Sequence, residues 1–270
     1  MSITITLPNR KGGVAKTTST LNLAAEFTAR GLRVLAVDAD PQSTLTLIAG
    51  ESLDELAPEE TTLAALVPDR YTVDLTKLAI PAPWGGDLWR ASRDLAEAEV
   101  QLADAAGPNT RLRRALETVA QNYDLMLVDS PPSVGKCAFN ALVAADYLLI
   151  PVKADFVSTG GLAQFFATLD LVQRYERPDL EILGIFATLV RHTLHCRETL
   201  QALASGTNGN LLETTIPQAV EVQDAQAAHL AVRQFRPKGA ATAAYQRLAD
   251  EVLARLKAAT GGAAELRKAA

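Results

Sequence analysis

The sequence predicts an α/β fold: a mostly parallel, twisted sheet with helices on both faces. Three observations lead there. Apolar runs of strand length recur at 33–38, 124–129, 147–151 and 180–186. Helical stretches separate them. Two of the runs stop on carboxylates, Asp38 and Asp129. Strands apolar on both faces belong to parallel sheets buried between helix layers, and such sheets bind ligands beyond their strands' carboxyl ends.

The remaining elements follow in order. Ile3–Leu7 alternates as a short strand. A glycine-containing turn leads into an apolar-periodic helix over about 17–30, which Gly31 ends. Residues 51–120 are rich in Ala, Leu, Glu and Asp and broken by Pro83-Trp84-Gly85-Gly86. They predict helices and one strand, at about 87–91, packed around the sheet rather than a separate domain. A last helix is expected over about 239–257. Residues 1–258 thus read as one domain and 259–270 as a frayed tail.

Composition narrows the function. Of 270 residues, 48% are hydrophobic and 21% charged, the mix of a globular protein rather than a disordered one. A formal net charge of -5 excludes a protein that coats nucleic acid through overall charge, though not a local basic patch. Two cysteines, Cys137 and Cys196, exclude a disulfide framework and a Cys-rich metal site. His192 and His195 lie close together, but without clustered acidic or thiol partners they read as surface positions. No apolar run approaches the roughly 20 residues that cross a bilayer, and the amino end lacks the charged start and apolar core of a signal peptide. The expectation is a cytoplasmic, reduced protein.

The strongest signal is Asn9-Arg10-Lys11-Gly12-Gly13-Val14-Ala15-Lys16-Thr17-Thr18, between the first strand and the first helix. Binding phosphate requires backbone N–H groups that converge on the anion, and glycines let the chain curl closely enough to supply them. The following helix adds the positive end of its dipole. Lys16 would then reach the β- and γ-phosphates, and the Thr17 hydroxyl would bind Mg²⁺. The strict G-x-x-x-x-G-K-[ST] pattern is not met, because Arg10 and Ala15 stand where glycines should be. A plain strand-to-helix turn with incidental lysines is the alternative; the flanking elements and the second lysine, Lys11, oppose it.

At these residues the chain resembles a known family. Lys11-Gly12-Gly13-Val14-Ala15-Lys16-Thr17-Thr18 is similar to the deviant Walker A motif of the ParA/MinD ATPases, K-G-G-x-x-K-[ST]. The resemblance implies a P-loop NTPase fold with ATP and Mg²⁺ as cofactors. It also implies that Lys11 crosses a homodimer interface to the other subunit's nucleotide, where a second ammonium neutralises charge on the transferred phosphoryl group. Ala15 occupies a position that is often glycine in the family.

Val37-Asp38-Ala39-Asp40-Pro41-Gln42 resembles the family's switch I segment, and Tyr123 to Ser133 its Walker B and switch II, with Met126 a departure inside the apolar run. A carboxylate on a strand end suits the water shell of Mg²⁺, a role that Asp129 fits. By the family pattern, Asp40 positions the attacking water and Asp38 supports the metal shell. Asp before Pro also starts turns, so each motif alone has a plain structural alternative. Asp146, Asp155 and Asp170 read as surface or capping residues, and Cys137 as a small core or helix residue.

The resemblance extends to the end of the chain. Thr215-Ile216-Pro217 looks like the family segment that passes the adenine, with Pro217 as the base contact. Residues 239–252 resemble the closing helix of Soj-like partition ATPases. In these, arginines of an I-P-R-N-x-R segment hold DNA nonspecifically, but here Gln218 and Glu221 replace them, and Glu221 would repel phosphate. Arg191, Arg197, Arg233, Arg236, Lys238 and Arg247 are scattered substitutes. The end of the chain, poor in large apolar residues and broken by Gly261-Gly262, argues against the membrane anchoring of the MinD branch. Together these imply a nucleoid-associated ATPase for DNA partition, dimeric with ATP, binding double-stranded DNA and stimulated by a ParB-type centromere-binding partner. A ParA-like positioner of a protein cargo and a regulatory module that holds nucleotide without turnover are the alternatives.

Overall fold

A computed structural model describes residues 2–103, 105–133, 135–154, 159–207 and 209–261, with backbone alone at 159–163. Asp155 and most of the expected tail, 262–270, lie outside the described residues. The strands are β1 (Ile3–Leu7), β2 (Val34–Asp38), β3 (Ala79–Pro81), β4 (Asp87–Trp89), β5 (Leu125–Asp129), β6 (Tyr147–Lys153), β7 (Glu181–Val190) and β8 (Leu211–Pro217). The helices before β5 are α1 (Lys16–Ala29), α2 (Thr44–Ile48), α3 (Thr62–Leu66), α4 (Leu95–Gln101) and α5 (Arg111–Val119). After it come α6 (Lys136–Ala144), α7 (Thr159–Tyr175), α8 (Leu194–Gly206), α9 (Val220–Ala227), α10 (Val232–Phe235) and α11 (Ala240–Ala259).

All eight strands join one sheet in the order β3-β4-β2-β5-β1-β6-β7-β8, parallel except for the β3–β4 pair. The expected α/β P-loop NTPase fold is what forms. Alternation along the buried strands feeds both faces. Val34 and Ala36 of β2 pack with α1 and α11, whereas Leu35 and Val37 pack under α3, α4 and α5. In β5, Leu125 and Leu127 join the first face, and Met126 and Val128 the second. Met126 is therefore an ordinary core residue. The 51–120 stretch contributes β3 and β4 to the same sheet.

Strand ends differ from expectation in two places. β6 runs on past Pro151 to Lys153. A proline ends a central strand when its missing N–H leaves a gap in the ladder. Here β1 pairs with β6 only at Tyr147 and Leu148, so Pro151 lies beyond that ladder and costs no β1 bond. β7 likewise continues to Val190, and its register against β8 shifts on both sides of Ala187. No helix among the described residues is long and apolar enough to cross a membrane.

Candidate functional site

The site begins where β1 gives way to α1. Between them the chain curls at two left-handed residues, Gly13 at φ 69° and Ala15 at φ 64°. Glycine adopts this region freely; the Cβ of Ala15, the N-cap of α1, disfavours it by about 1–2 kcal/mol. The surrounding bonds hold it there. Asn9 donates from Nδ2 to the Pro151 carbonyl at 2.7 Å and accepts from the Lys11 N–H at 2.9 Å. The Thr188 hydroxyl donates to the Val14 carbonyl at 3.1 Å.

The inside of the curl is open. Among the described residues a Cβ added at Gly12 or Gly13 would meet nothing within 4 Å, and no side chain caps α1. The helix therefore presents its first N–H groups and positive dipole end to the space beside the loop. Lys16, the first residue of α1, is buried, and its Nζ donates to the Lys11 carbonyl at 3.4 Å. Burial lowers its pKa, opposed by the charges of Asp129 and Asp40. Lys11 itself is exposed on the loop.

The acidic residues come from adjacent strands. The β2–β5 register sets Asp38 beside Asp129, and the β1–β5 register sets Leu7 on the other side. Register partners in a parallel sheet share a face, so the two carboxylates, both fully buried, project on one side from strands about 5 Å apart. Asp38 is saturated with donors: Oδ2 accepts from the Thr46 N–H at 2.9 Å and hydroxyl at 2.8 Å, and Oδ1 from the Asp40 N–H at 3.2 Å. Burial pushes its carboxyl up to about 7 despite these bonds.

Asp129 is the opposite case. Among the described residues neither of its oxygens has a hydrogen-bond partner. Burial and the Asp38 charge push its carboxyl well above the ordinary range; the Thr17 hydroxyl, close enough to bias it but short of a bond, and the Lys16 ammonium oppose this. Two orphaned oxygens on a buried carboxylate are unfavourable until a cation arrives. Asp129, with Thr17 beside it, thus fits a hard divalent ion. Among the described residues no cluster of three or more His, Cys, Asp or Glu could hold a metal alone. That suits Mg²⁺, which is completed by waters and substrate phosphates.

These parts border one cleft of about 680 Å³. Gly12, Gly13, Ala15, Lys16, Thr17, Thr18 and Asp40 line it, and so do Pro217 and Gln218 from the end of β8. Asp40 accepts from the Gln42 N–H at 2.9 Å, a turn that leaves its carboxylate at the cleft wall. Val14, Asp38 and Asp129 are buried outside the lining. Lys153, Leu189, Gln226 and Tyr245 also line the cleft and were not picked out by sequence reasoning. Gln226 donates to the Thr18 hydroxyl at 2.9 Å, and Tyr245 lies 3.3 Å from the Ser19 hydroxyl, so α9 and α11 are tied to α1.

Two charged residues differ from the sequence reading. Arg191, a scattered DNA candidate, lines the cleft. Glu221 is not a surface charge. It is buried, accepts from the Ala241 N–H at 2.7 Å and so caps α11, and pairs with Arg236 at 3.4 Å. A Cβ at Gly239 would come within 2.6 Å of its Oε1. Arg233 pairs with buried Glu26 at 3.4 Å. Elsewhere the expectations hold: His192 and His195 are exposed, Cys137 is buried in α6, and Asp170 pairs with Arg174 on the surface. Asp146 accepts from the Thr4 N–H and from Arg177.

Known proteins resemble this chain in sequence and fold. Residues 2–182 match a family described as an AAA domain. The chain is 34% identical to the sporulation initiation inhibitor protein Soj of Bacillus subtilis, over 93% of this chain and 98% of that protein. It is 35% identical to the chromosome-partitioning ATPase Soj of Thermus thermophilus, over 94% and 97%. Among solved structures, cobyrinic acid a,c-diamide synthase from Mycobacterium smegmatis, with bound ADP or an ATP analogue and magnesium, superposes with a TM-score of 0.83. That pair shares 32% identity and covers 99% of this chain and 98% of the other. These likenesses establish that the chain belongs to the ParA/MinD family of P-loop ATPases.

Proposed function

We propose that the chain hydrolyses ATP as a nucleotide-sandwich homodimer and acts in DNA partition. The observation that carries this is the pairing of an open, curled phosphate loop with Asp129, a buried carboxylate whose oxygens lack partners among the described residues. Gly12, Gly13, Val14, Ala15, Lys16, Thr17 and Thr18 hold the phosphates, with Lys16 on the terminal ones and backbone N–H groups around them. Thr17 and Asp129 hold Mg²⁺, which when bound neutralises charge on the phosphate oxygens. Asp38 supports that shell indirectly, by fixing Thr46 and the Asp40 backbone. Asp40, at the cleft wall, orients the attacking water. Lys11, exposed on the loop, reaches the nucleotide of the second subunit, so ligand and dimerisation are linked. Pro217 contacts the base.

Homology with the two Soj proteins supports partition as the biological task. On that reading the dimer binds double-stranded DNA nonspecifically, associates with the nucleoid in the cytoplasm, and is stimulated by a ParB-type partner. The phosphate contacts are not at Gln218 or at Glu221, whose carboxylate is committed to α11. An amide synthase, as the M. smegmatis protein is named, is less well supported. Both cysteines are buried, and burial raises the Cys137 thiol, so it is not a ready nucleophile for amide transfer.

The test is DNA binding with and without ATP across a salt series, with Lys16→Ala as the control. ATP-dependent, salt-sensitive binding that the variant loses is the expected result. DNA binding of equal strength without ATP, or in Lys16→Ala, would refute the proposal.

A further inference from the structure

Beside the phosphate loop, the chain after β2 brings Asp40 to the cleft and the chain after β5 brings Pro132. The segment that runs from the end of β4 into α4 is joined to both. At its near end the Ala91 N–H donates to the Thr46 hydroxyl oxygen at 2.8 Å. That hydroxyl donates in turn to Asp38, which also accepts the Asp40 N–H. At its far end the Glu99 carboxylate accepts from the Lys136 N–H and, at 3.1 Å, from the Cys137 N–H. Glu99 therefore caps α6, the helix into which the chain after β5 runs.

Both joins are closely fitted. A carboxylate on the first amides of a helix makes charge-assisted bonds that the helix dipole reinforces. A Cβ added at Gly135, the N-cap of α6, would collide with the Glu99 carboxylate, so the glycine admits it. Leu95 and Ala98 of α4 share a core cluster with Cys137 and Ala141 of α6. Ala91 and Thr46 are fully buried. The chain after β5 is pinned at its start as well, where the Ser130 hydroxyl donates to the Leu7 carbonyl at 3.1 Å.

Resting on the hydrolysis reading above, we propose that residues 91–99 are a strut between these two parts of the cleft and that Glu99 is a positioning residue for the reaction. Glu99 fixes where the Pro132 side enters α6. Ala91 fixes Thr46 and, through Asp38, the backbone that carries Asp40. The strut thus sets the gap in which a water is aligned with the terminal phosphate, where an error of about 1 Å costs about 100-fold in rate. ATP affinity rests instead on the phosphate loop, which Asn9 and Thr188 hold.

Glu99→Ala and Thr46→Val cut the strut at its two ends, and Glu99→Gln keeps one acceptor for the α6 amides. Phosphate release at saturating Mg–ATP with DNA, and ATP binding by calorimetry, are measured on the full chain. In Glu99→Ala and Thr46→Val kcat should fall at least about tenfold, and less in Glu99→Gln, with ATP affinity within about twofold throughout. The double variant should be no slower than the worse single one, because either cut releases the same strut. Tyr123→Phe removes a 2.8 Å bond to Asp87 at the start of β4, a loss of stability that should leave kcat unchanged. Amide exchange reads the strut without turnover: Glu99→Ala should speed exchange at the Thr46 amide about tenfold, and Thr46→Val at the Lys136 and Cys137 amides. Unchanged kcat in Glu99→Ala, an equal loss in Tyr123→Phe, or losses that multiply in the double variant would overturn the proposal, as would exchange effects confined to the mutated end. A wild type that binds ATP yet releases no phosphate would overturn the hydrolysis reading, and the exchange result alone would then decide the strut.

Discussion

Replacing Asp129 by Asn should stabilise the nucleotide-free protein while removing its response to Mg²⁺. Asp129 and Asp38 face each other on neighbouring strands, both fully buried. Taking the strand spacing of about 5 Å as their separation and an effective dielectric of about 20, two full charges repel by about 3 kcal/mol. Asparagine keeps the shape and deletes one charge, but leaves an amide without a partner, which takes back part of the gain. The expected net stabilisation is about 1–3 kcal/mol. The same pair gives a pH signature. Asp38 is raised from an ordinary value of 3.8 to about 7, and Asp129 is raised as well. A raised carboxyl binds its proton more tightly in the folded chain, so its contribution to stability is complete below about pH 4 and lost as pH rises through about 7. Urea denaturation followed by the fluorescence of buried Trp84 and Trp89 reads both effects. At about pH 8 Asp129→Asn should show a higher midpoint with an unchanged slope, a flatter pH dependence, and no Mg²⁺-dependent part in its stabilisation by ATP. A variant less stable than wild type without nucleotide would refute the repulsion argument.

Three further outcomes are expected. Lys11→Ala should lose ATP-dependent dimerisation; normal dimers in sedimentation would contradict the interface role of Lys11. Asp40→Ala should keep ATP and remain a dimer while phosphate release falls about 100-fold, and wild-type turnover would remove its water-orienting role. Ala15→Gly should relieve the left-handed N-cap and stabilise the chain by about 0.5–1 kcal/mol, a rise of about 2 °C by calorimetry. A lowered midpoint would mean that the Ala15 methyl contributes packing that outweighs its strain.

The parts of the fold readable from sequence are those built by local pattern. Continuous apolar runs gave β2 and β5, because strands covered on both faces need no polar alternation. The phosphate loop was readable because glycines and a lysine at fixed spacing act through backbone geometry. β8 was not identified as a strand, since Leu211–Pro217 mixes threonines and a glutamate as an edge strand can. β3, with three residues, carries no period at all. Among site residues, Lys153 was hidden by Pro151, which looks like a strand end unless one knows that β1 pairs no further. Leu189 and Gln226 reach the cleft through tertiary packing that no local spacing encodes. The polarity of Glu221 misled for the same reason: its partners, Arg236, Gly239 and Ala241, come from a later helix start.

The cap that Glu221 supplies constrains how this lineage can change. An arginine cannot enter position 221 in one step, for it would strand the Ala241 N–H, confront Arg236 and undo the first turn of a helix that holds up one side of the core. Gly239 is equally captive while the glutamate occupies the space its Cβ would need. Position 239 can thus gain a side chain only where position 221 no longer carries this glutamate. Across descendants of this chain they are expected to covary, and a library that varies either one singly should be depleted of folded members.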